Sequence, residues 1–270
     1  MSSMSGSSAA EGYKEASLSI QKIFGEEIIQ SDVSPQPGDA ILDLGCGTGE
    51  LSAYLAELVG PEGKVIGIDP DEQRIRAAKQ SHGERKNLSL VEGSVSNISQ
   101  IFPQSFDIIF SNYVLHWNAE KQKAFENMFA SLNPGRKIAF EYLSHLPHFF
   151  LDASVTKLNP ENVGRINQIY HCESKAKIEQ YCTSSGFEIW KSNQAPVKLV
   201  FENTDSFLKW LWASNDGMFD RSLVTEERLQ SYLALYKHKN GNCSLEFVVN
   251  PEDEPNCWLI ASKKTLLSFF

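Results

Sequence analysis

The chain has 270 residues, 41% of them hydrophobic and 22% charged, which is the make-up of a folded globular protein and excludes wholesale disorder. At ~100–200 residues per domain, this length gives one large domain or one domain with an elaborated cover. Lys and Arg number 25 against 34 Asp and Glu, a net charge of −9. That argues against an extended grip on nucleic acid, because phosphates require clustered cations.

In chain order, residues 1–12 are serine-rich and expected to be flexible. Tyr13, Ala16, Ile20, Ile23, Phe24 and Ile28 recur at three-to-four spacing and predict an amphipathic helix over 13–30, inside an N-terminal helical cover of 13–35. The Pro35, Pro37, Gly38 turn stops it. Apolar runs at Ala40–Leu44, Val65–Ile68, Leu88–Val91, Phe106–Phe110 and Lys137–Tyr142 predict strands. Helical patterns at Thr48–Leu58, Asp71–Gln80 and Glu120–Leu132 lie between them. Short apolar strands alternating with helices specify a mostly parallel sheet covered on both faces, a doubly wound α/β core over 36–142.

The rhythm breaks over 143–172, read as a cap insertion, and returns over 173–200 with a helix at Lys175–Ser184 and a strand at Phe187–Lys191. Residues 201–240 read as a helical substrate cap, with helices at 204–214 and 225–239. Residues 241–270 supply the final strands, including Trp258–Ser262. Five cysteines, Cys46, Cys172, Cys182, Cys243 and Cys257, include no CxxC pair. Free thiols fit better than a disulfide framework or a metal knuckle, so no metal is expected. No apolar run approaches the ~20 residues of a membrane span, and the first residues lack a basic and an apolar signal region. A cytoplasmic protein is expected.

The chemistry-bearing stretch is Asp43-Leu44-Gly45-Cys46-Gly47-Thr48-Gly49, a strand, a glycine turn and a helix. Glycines admit positive φ and close approach of a ligand. The turn is one residue shorter than the G-x-G-x-x-G of dinucleotide folds, and the preceding acid suits a ligand with an ammonium group better than a diphosphate. A tight turn without a ligand is the alternative reading. Asp69, about twenty residues past the loop at the end of the second strand, is placed to take two ribose hydroxyls; otherwise it caps the next helix. Cys46 reads as a packing residue.

This pattern resembles the class I S-adenosylmethionine-dependent methyltransferases, with a Rossmann-like seven-stranded sheet. The resemblance implies that Gly45, Gly47 and Gly49 lie against the methionine and ribose of the cofactor. It puts Asp69 on the ribose hydroxyls, Ile68 or Pro70 beside the adenine, and Ser94 and Val95 after the third strand where an adenine contact is made. It also implies that Ser111 and Asn112, ending the fourth strand, face the sulfonium and the acceptor. The chain lacks the Asn-Pro-Pro-Tyr element of methylases acting on planar amino groups, so the partner is expected to be a small molecule and not a nucleic acid.

Tyr13 with Ser17-Leu18-Ser19-Ile20-Gln21-Lys22, and Tyr113-Val114-Leu115-His116-Trp117, resemble the juvenile hormone acid methyltransferase group. The Leu-His-Trp element is also similar to trans-aconitate methyltransferases. Both groups esterify carboxylates, which implies that Gln21 and Trp117 meet the substrate carboxylate, with Tyr13 near the cofactor. A carboxylate is already ionised at neutral pH (pKa ~4) and needs no strong base, so neutral donors such as the Gln21 amide and the Trp117 indole suffice to orient it. A phenol or amine acceptor calls for a base and promotes His116. Phe149, Phe150, Phe207, Trp210, Leu211, Trp212, Met218 and Phe219 lie outside the sheet pattern; as a set they favour a lipophilic acid. The competing readings are methylation of a small amine or phenol with His116 as base, and a non-catalytic cofactor-binding domain.

Overall fold

A seven-stranded sheet organises the chain, in the order Leu88–Glu92, Lys64–Asp69, Ala40–Leu44, Phe106–Asn112, Leu132–Leu143, Asn256–Lys263, Phe187–Ala195. The computed structural model describes residues 21–153, 158, 160, 164–195, 198–215, 219–236, 245–248 and 256–264. Strands β1 (Ala40–Leu44), β2 (Lys64–Asp69), β3 (Leu88–Glu92), β4 (Phe106–Asn112) and β5 (Leu132–Leu143) run parallel to one another. Their alternate side chains feed two cores. Ile41, Val65, Leu90, Ile108, Phe110 and Ala139 meet helices α1 (Gln21–Ile28), α2 (Glu50–Val59) and α3 (Glu72–His82). Leu42, Ile66, Ile109, Ile138 and Phe140 face the opposite way. There they meet α5 (Lys121–Ser131) and α8 (Lys175–Ser184), which follow the short α4 (Ile98–Ile101), α6 (His148–Leu151) and α7 (Ile166–Ile169). Both faces are covered, which is why the strands read as unbroken apolar runs.

Several boundaries differ from the sequence expectation, two of them in ways that bear on the sheet. Helix α1 continues through a wide turn over Ile29–Val33 and ends only where Ser34 enters the left-handed region, its N–H bonded to the Ile29 carbonyl. Strand β5 begins at Leu132, which pairs with Phe106 across an irregular register before the regular ladder resumes at Ile108 and Lys137. Asp71, not Asp69, caps α3, its carboxylate accepting the N–H groups of Gln73 and Arg74 at 2.8 and 3.1 Å. Strand β9 (Asn256–Lys263) inserts antiparallel between β5 and β6 (Phe187–Ala195).

Outside the sheet lies a second layer. It comprises β7 (Lys198–Phe201) and β8 (Leu245–Val248), whose antiparallel pairing the sequence pattern did not disclose, with α9 (Thr204–Ser214) and α10 (Glu226–Tyr236). Phe149, Phe150, Leu199, Phe207, Trp210, Phe219 and Tyr232 bury one another there. The Phe207 and Tyr232 rings stack at 5.7 Å, and the Tyr232 hydroxyl donates to the Phe149 carbonyl at 3.0 Å. Among the described residues no helix is long and apolar enough to cross a membrane.

Candidate active site

The strand order reverses between β1 and β4, since β1 is followed by β2 on one side and by β4 on the other. In open α/β sheets the crevice outside the carboxyl ends of the strands at such a switch point is where ligands bind. A pocket opens at that place, lined by Gln21, Lys22, Asp43, Gly45, Cys46, Gly47, Thr48, Glu50, Leu51 and Asn112.

The loop after β1 is held by its own backbone. Gly45 and Cys46 N–H both donate to the Ile68 carbonyl, at 2.7 and 2.9 Å. Gly47 N–H donates to Asp69 Oδ2 at 3.0 Å, while Asp69 Oδ1 accepts the Asp71 N–H at 2.9 Å. Gly45 has φ 79°, and a Cβ there would sit 2.2 Å from Val114 Cγ2. Its glycine is therefore demanded by both backbone conformation and the segment after β4. Gly49, at φ 87°, starts α2 and faces Ala78, His82 and Leu90; it lets α3 approach and is not among the pocket-lining residues.

Asp43 is the buried carboxylate of a pocket that also holds Glu50 and Lys22. It is buried at the β1 end, with Ser52 Oγ donating to Oδ2 at 2.5 Å. Burial pushes its carboxyl up to about 7; the Ser52 hydrogen bond works the other way, and the charges of Asp69 and Glu50 add to the rise. Burial likewise raises Asp69 above the usual carboxylate range, against the opposing Arg74 charge and the two backbone N–H groups. Glu50 accepts from the Thr48 hydroxyl at 2.6 Å through Oε2, and its buried Oε1 has no partner. Two carboxylates against one lysine favour a cationic ligand group over a diphosphate.

The predicted site residues divide. Gln21, Asp43, Gly45, Gly47 and Asn112 come together around the pocket, and the Asn112 amide donates to the Gln21 carbonyl at 2.9 Å, tying α1 to β4. Ser111 lies beneath, its hydroxyl bonded to the Leu44 carbonyl at 2.8 Å and joining the ends of β1 and β4. Asp69 underpins the loop, Ile68 is buried in the core and Pro70 is exposed. Ser94 and Val95 sit half-buried past β3, in a segment anchored by the Asn127 amide on the Val95 and Ser96 carbonyls, at 2.8 and 2.9 Å. Tyr13 and Met218 lie outside the described residues.

His116 and Trp117 occupy a single turn, Leu115–Trp117, and neither lines this pocket. Trp117 lies 4.6 Å from the Tyr170 ring, against the rim of the aromatic layer, where Phe24 of α1 also packs. His116 stacks on Tyr170 at 5.9 Å and is buried. Burial and the Lys121 charge drive its pKa down to about 3. An imidazole so depressed stays neutral near pH 7 and takes up a proton poorly.

Sequence reasoning missed two groups. Thr48, Glu50 and Leu51 line the pocket although they read only as the start of α2. Glu141 is buried on β5, with Asn256 Nδ2 donating to its Oε1 at 2.6 Å and the Tyr113 hydroxyl at 3.3 Å. The signal for it was present: an acid inside the apolar run Ile138-Ala139-Phe140-Glu141-Tyr142-Leu143.

The residues present fit S-adenosylmethionine. Asp43, a buried carboxylate with no cation among its perturbing groups, matches an ammonium. Gly45 and Gly47 carry no Cβ, and the unpartnered Glu50 Oε1 leaves an acceptor for a ligand's donors.

Residues 35–199 match the family described as Methyltransferase domain. The chain is 26% identical over 214 residues to malonyl-[acyl-carrier protein] O-methyltransferase 1 of Ilyobacter polytropus, covering 78% of this chain and 76% of that protein. It is 24% identical over 204 residues to juvenile hormone acid O-methyltransferase of Bombyx mori, covering 73% of each. Its fold is similar to that of a SAM-dependent methyltransferase from Aquifex aeolicus, with a TM-score of 0.52 at 19% identity over 68% of this chain and 92% of that one. A doubly wound sheet with a cation-seeking pocket at its switch point and a family match across the core lead to one conclusion: the chain belongs to the methyltransferase-domain family and is an S-adenosylmethionine-dependent methyltransferase.

Proposed function

We propose that this enzyme methylates the carboxylate of a small, lipophilic acid. When bound, S-adenosylmethionine supplies an electrophilic methyl group. Asp43 would hold its ammonium end, with the Gly45–Gly49 turn against its middle and Asp69 toward the ribose. On the acceptor side, the Gln21 amide and the Trp117 indole N–H act as neutral donors that hold a carboxylate without over-stabilising it. The observation that carries this reading is the setting of Gln21, which lines one pocket with Asp43 and the glycine turn.

His116 adds support from the other side. Neutral and buried against Tyr170, it is a packing residue in this reading, and an acceptor that arrives already ionised does not need it as a base. The aromatic layer that meets Phe24 and Trp117 provides apolar surface for the rest of the molecule. Both relatives are named as O-methyltransferases, one of malonyl-[acyl-carrier protein] and the other of juvenile hormone acid.

The test is methyl transfer from labelled cofactor to a panel of fatty, isoprenoid and tricarboxylic acids, read as base-labile ester. Gln21→Ala and Trp117→Ala are expected to lower turnover about 10–100-fold while cofactor affinity changes by less than about three-fold. Equal losses in both quantities, or activity confined to phenols and amines, would reject the assignment.

A further inference from the structure

The carboxyl end of the sheet holds a second polar group that methyl-donor binding does not use. Asn112, Glu141 and Trp258 are direct register partners across β4, β5 and β9, and Asn256 lies two residues before Trp258. Residues so paired, or two apart on one strand, point to one face of the sheet. That face also carries Phe110, Ala139 and Ile260 beneath α1.

Hydrogen bonding there is incomplete in a consistent way. Glu141 Oε1 receives Asn256 and Tyr113, yet Glu141 Oε2, Asn256 Oδ1 and Asn112 Oδ1 are buried with no partner. Three of the orphaned atoms are acceptors; the fourth, Trp258 Nε1, is a donor. A buried acceptor left unpaired costs roughly 1–3 kcal/mol, so three on one face call for a group that brings donors. Tyr113 is held at φ 56°, a conformation rarely adopted outside glycine, by its N–H bond to the Glu141 carbonyl. Such a strained residue beside a pocket is a mark of a functional position.

Charge narrows the class of ligand. The charged group acting on Glu141 from α1 is Glu27, which repels it. Lys191 reaches Trp258 only at 6.0 Å and is engaged by Asp32 at 2.5 Å. A carboxylate ligand meets repulsion here, a hydroxyl satisfies part of the set, and an apolar group satisfies none. An ammonium supplies three N–H donors and the missing positive charge. Asn112 belongs both to this group and to the pocket lined by Gln21 and Asp43, so the two regions share a wall residue.

We propose that Glu141, with the side-chain oxygens of Asn112 and Asn256, forms a recognition site for an ammonium group on the acceptor molecule. Combined with the carboxylate reading above, on which this substrate class rests, the substrate is an acid carrying an amino group some distance from the carboxylate that is methylated.

Calorimetry on the full-length protein saturated with S-adenosylhomocysteine tests this at pH 8. The probes are ω-amino acids of four to twelve carbons, the parent acids without the amine, and the alkylamines without the acid. Wild type is expected to bind at least one ω-amino acid about ten-fold more tightly than its parent acid. Glu141→Gln should bring that preference within about two-fold. Glu141→Gln is isosteric and removes a buried charge, so its thermal midpoint should not fall below that of wild type; Glu141→Leu, read in the same titration, is the second variant if it does. Absence of a preference in wild type, including failure of every amine to bind, overturns the proposal, as does a preference that survives both substitutions. Glu141-dependent binding of alkylamines without ester formation from any acid keeps the ammonium site and rejects the carboxylate acceptor. Ester formation without a Glu141-dependent preference does the reverse.

Discussion

Asp43 shows how one residue ties stability to ligand charge. Its folded pKa, about 7 against an ordinary 3.8, follows from burial, with Asp69 and Glu50 adding to it. A carboxyl raised in this way contributes stability that is complete below the unfolded pKa and lost as pH rises through the folded one. The ligand-free protein should therefore lose stability between about pH 4 and 7, by on the order of a few kcal/mol from this group. Glu141, also raised to about 7 by burial, adds a slope of the same sign. Thermal melts across that range should show Asp43→Asn flattening the profile and melting higher than wild type at pH 8. The same substitution is expected to weaken S-adenosylhomocysteine binding about 10–100-fold by calorimetry, because the ligand's ammonium loses its counter-charge. A variant that keeps both the pH slope and the affinity would remove Asp43 from the site.

Among the elements, α1 is the one whose placement matters most for the pocket. It is seated at Gly25, where an added Cβ would lie 2.5 Å from Leu51 Cδ1 and 3.0 Å from Asn112 Nδ2. Leu51 and Asn112 both line the pocket, and Asn112 holds the Gln21 carbonyl. Gly25→Val is expected to lift α1 off β4 and break that hydrogen bond, costing roughly 1–3 kcal/mol through overpacking. Hydrogen exchange should show α1 amides losing protection while β1 and β4 keep theirs, with cofactor affinity falling about ten-fold. Unchanged protection of α1 would mean that Leu51 gives way and that the helix is seated elsewhere. The spacing of Phe24 and Ile28 predicted the buried face of the helix, whereas Ile23, placed on that face by the same spacing, is exposed. The spacing did not predict which small residue sits against β4, because periodicity identifies a face and not the side chain opposite it.

For the whole molecule, the aromatic layer is a core separate from the two cores of the sheet. Among the described residues, hydrogen bonds join it to the segment after β4. The His171 N–H donates to the His116 carbonyl at 2.7 Å, and Lys121 Nζ donates to the Asn118 carbonyl at 2.7 Å and to the His171 carbonyl. Trp210 packs against Phe149, Phe150, Phe201 and Phe207. Trp210→Ala should cost about 3–5 kcal/mol, with amide protection collapsing in α9, α10 and β7 before it does in the sheet. Cofactor binding should persist while acceptor turnover falls. Loss of protection throughout the chain in a single step would show that the two parts fold as one unit.

Local pattern alone determined the alternating strands and helices, the glycine turn and the acids at the ends of β1 and β2. These follow from side-chain periodicity and backbone freedom, which act between residues close in sequence. Tertiary structure decided the insertion of β9 between β5 and β6, the pairing of β7 with β8, and the meeting of Gln21 with Asp43 and Asn112. It also gave His116 its burial and Glu141 its partners Tyr113 and Asn256. Asn112 and Glu141 are 29 residues apart in the sequence and direct neighbours in the sheet. The solvation and hydrogen-bond partners that set the chemistry of such groups are properties of that neighbourhood, and the chain creates it only by folding.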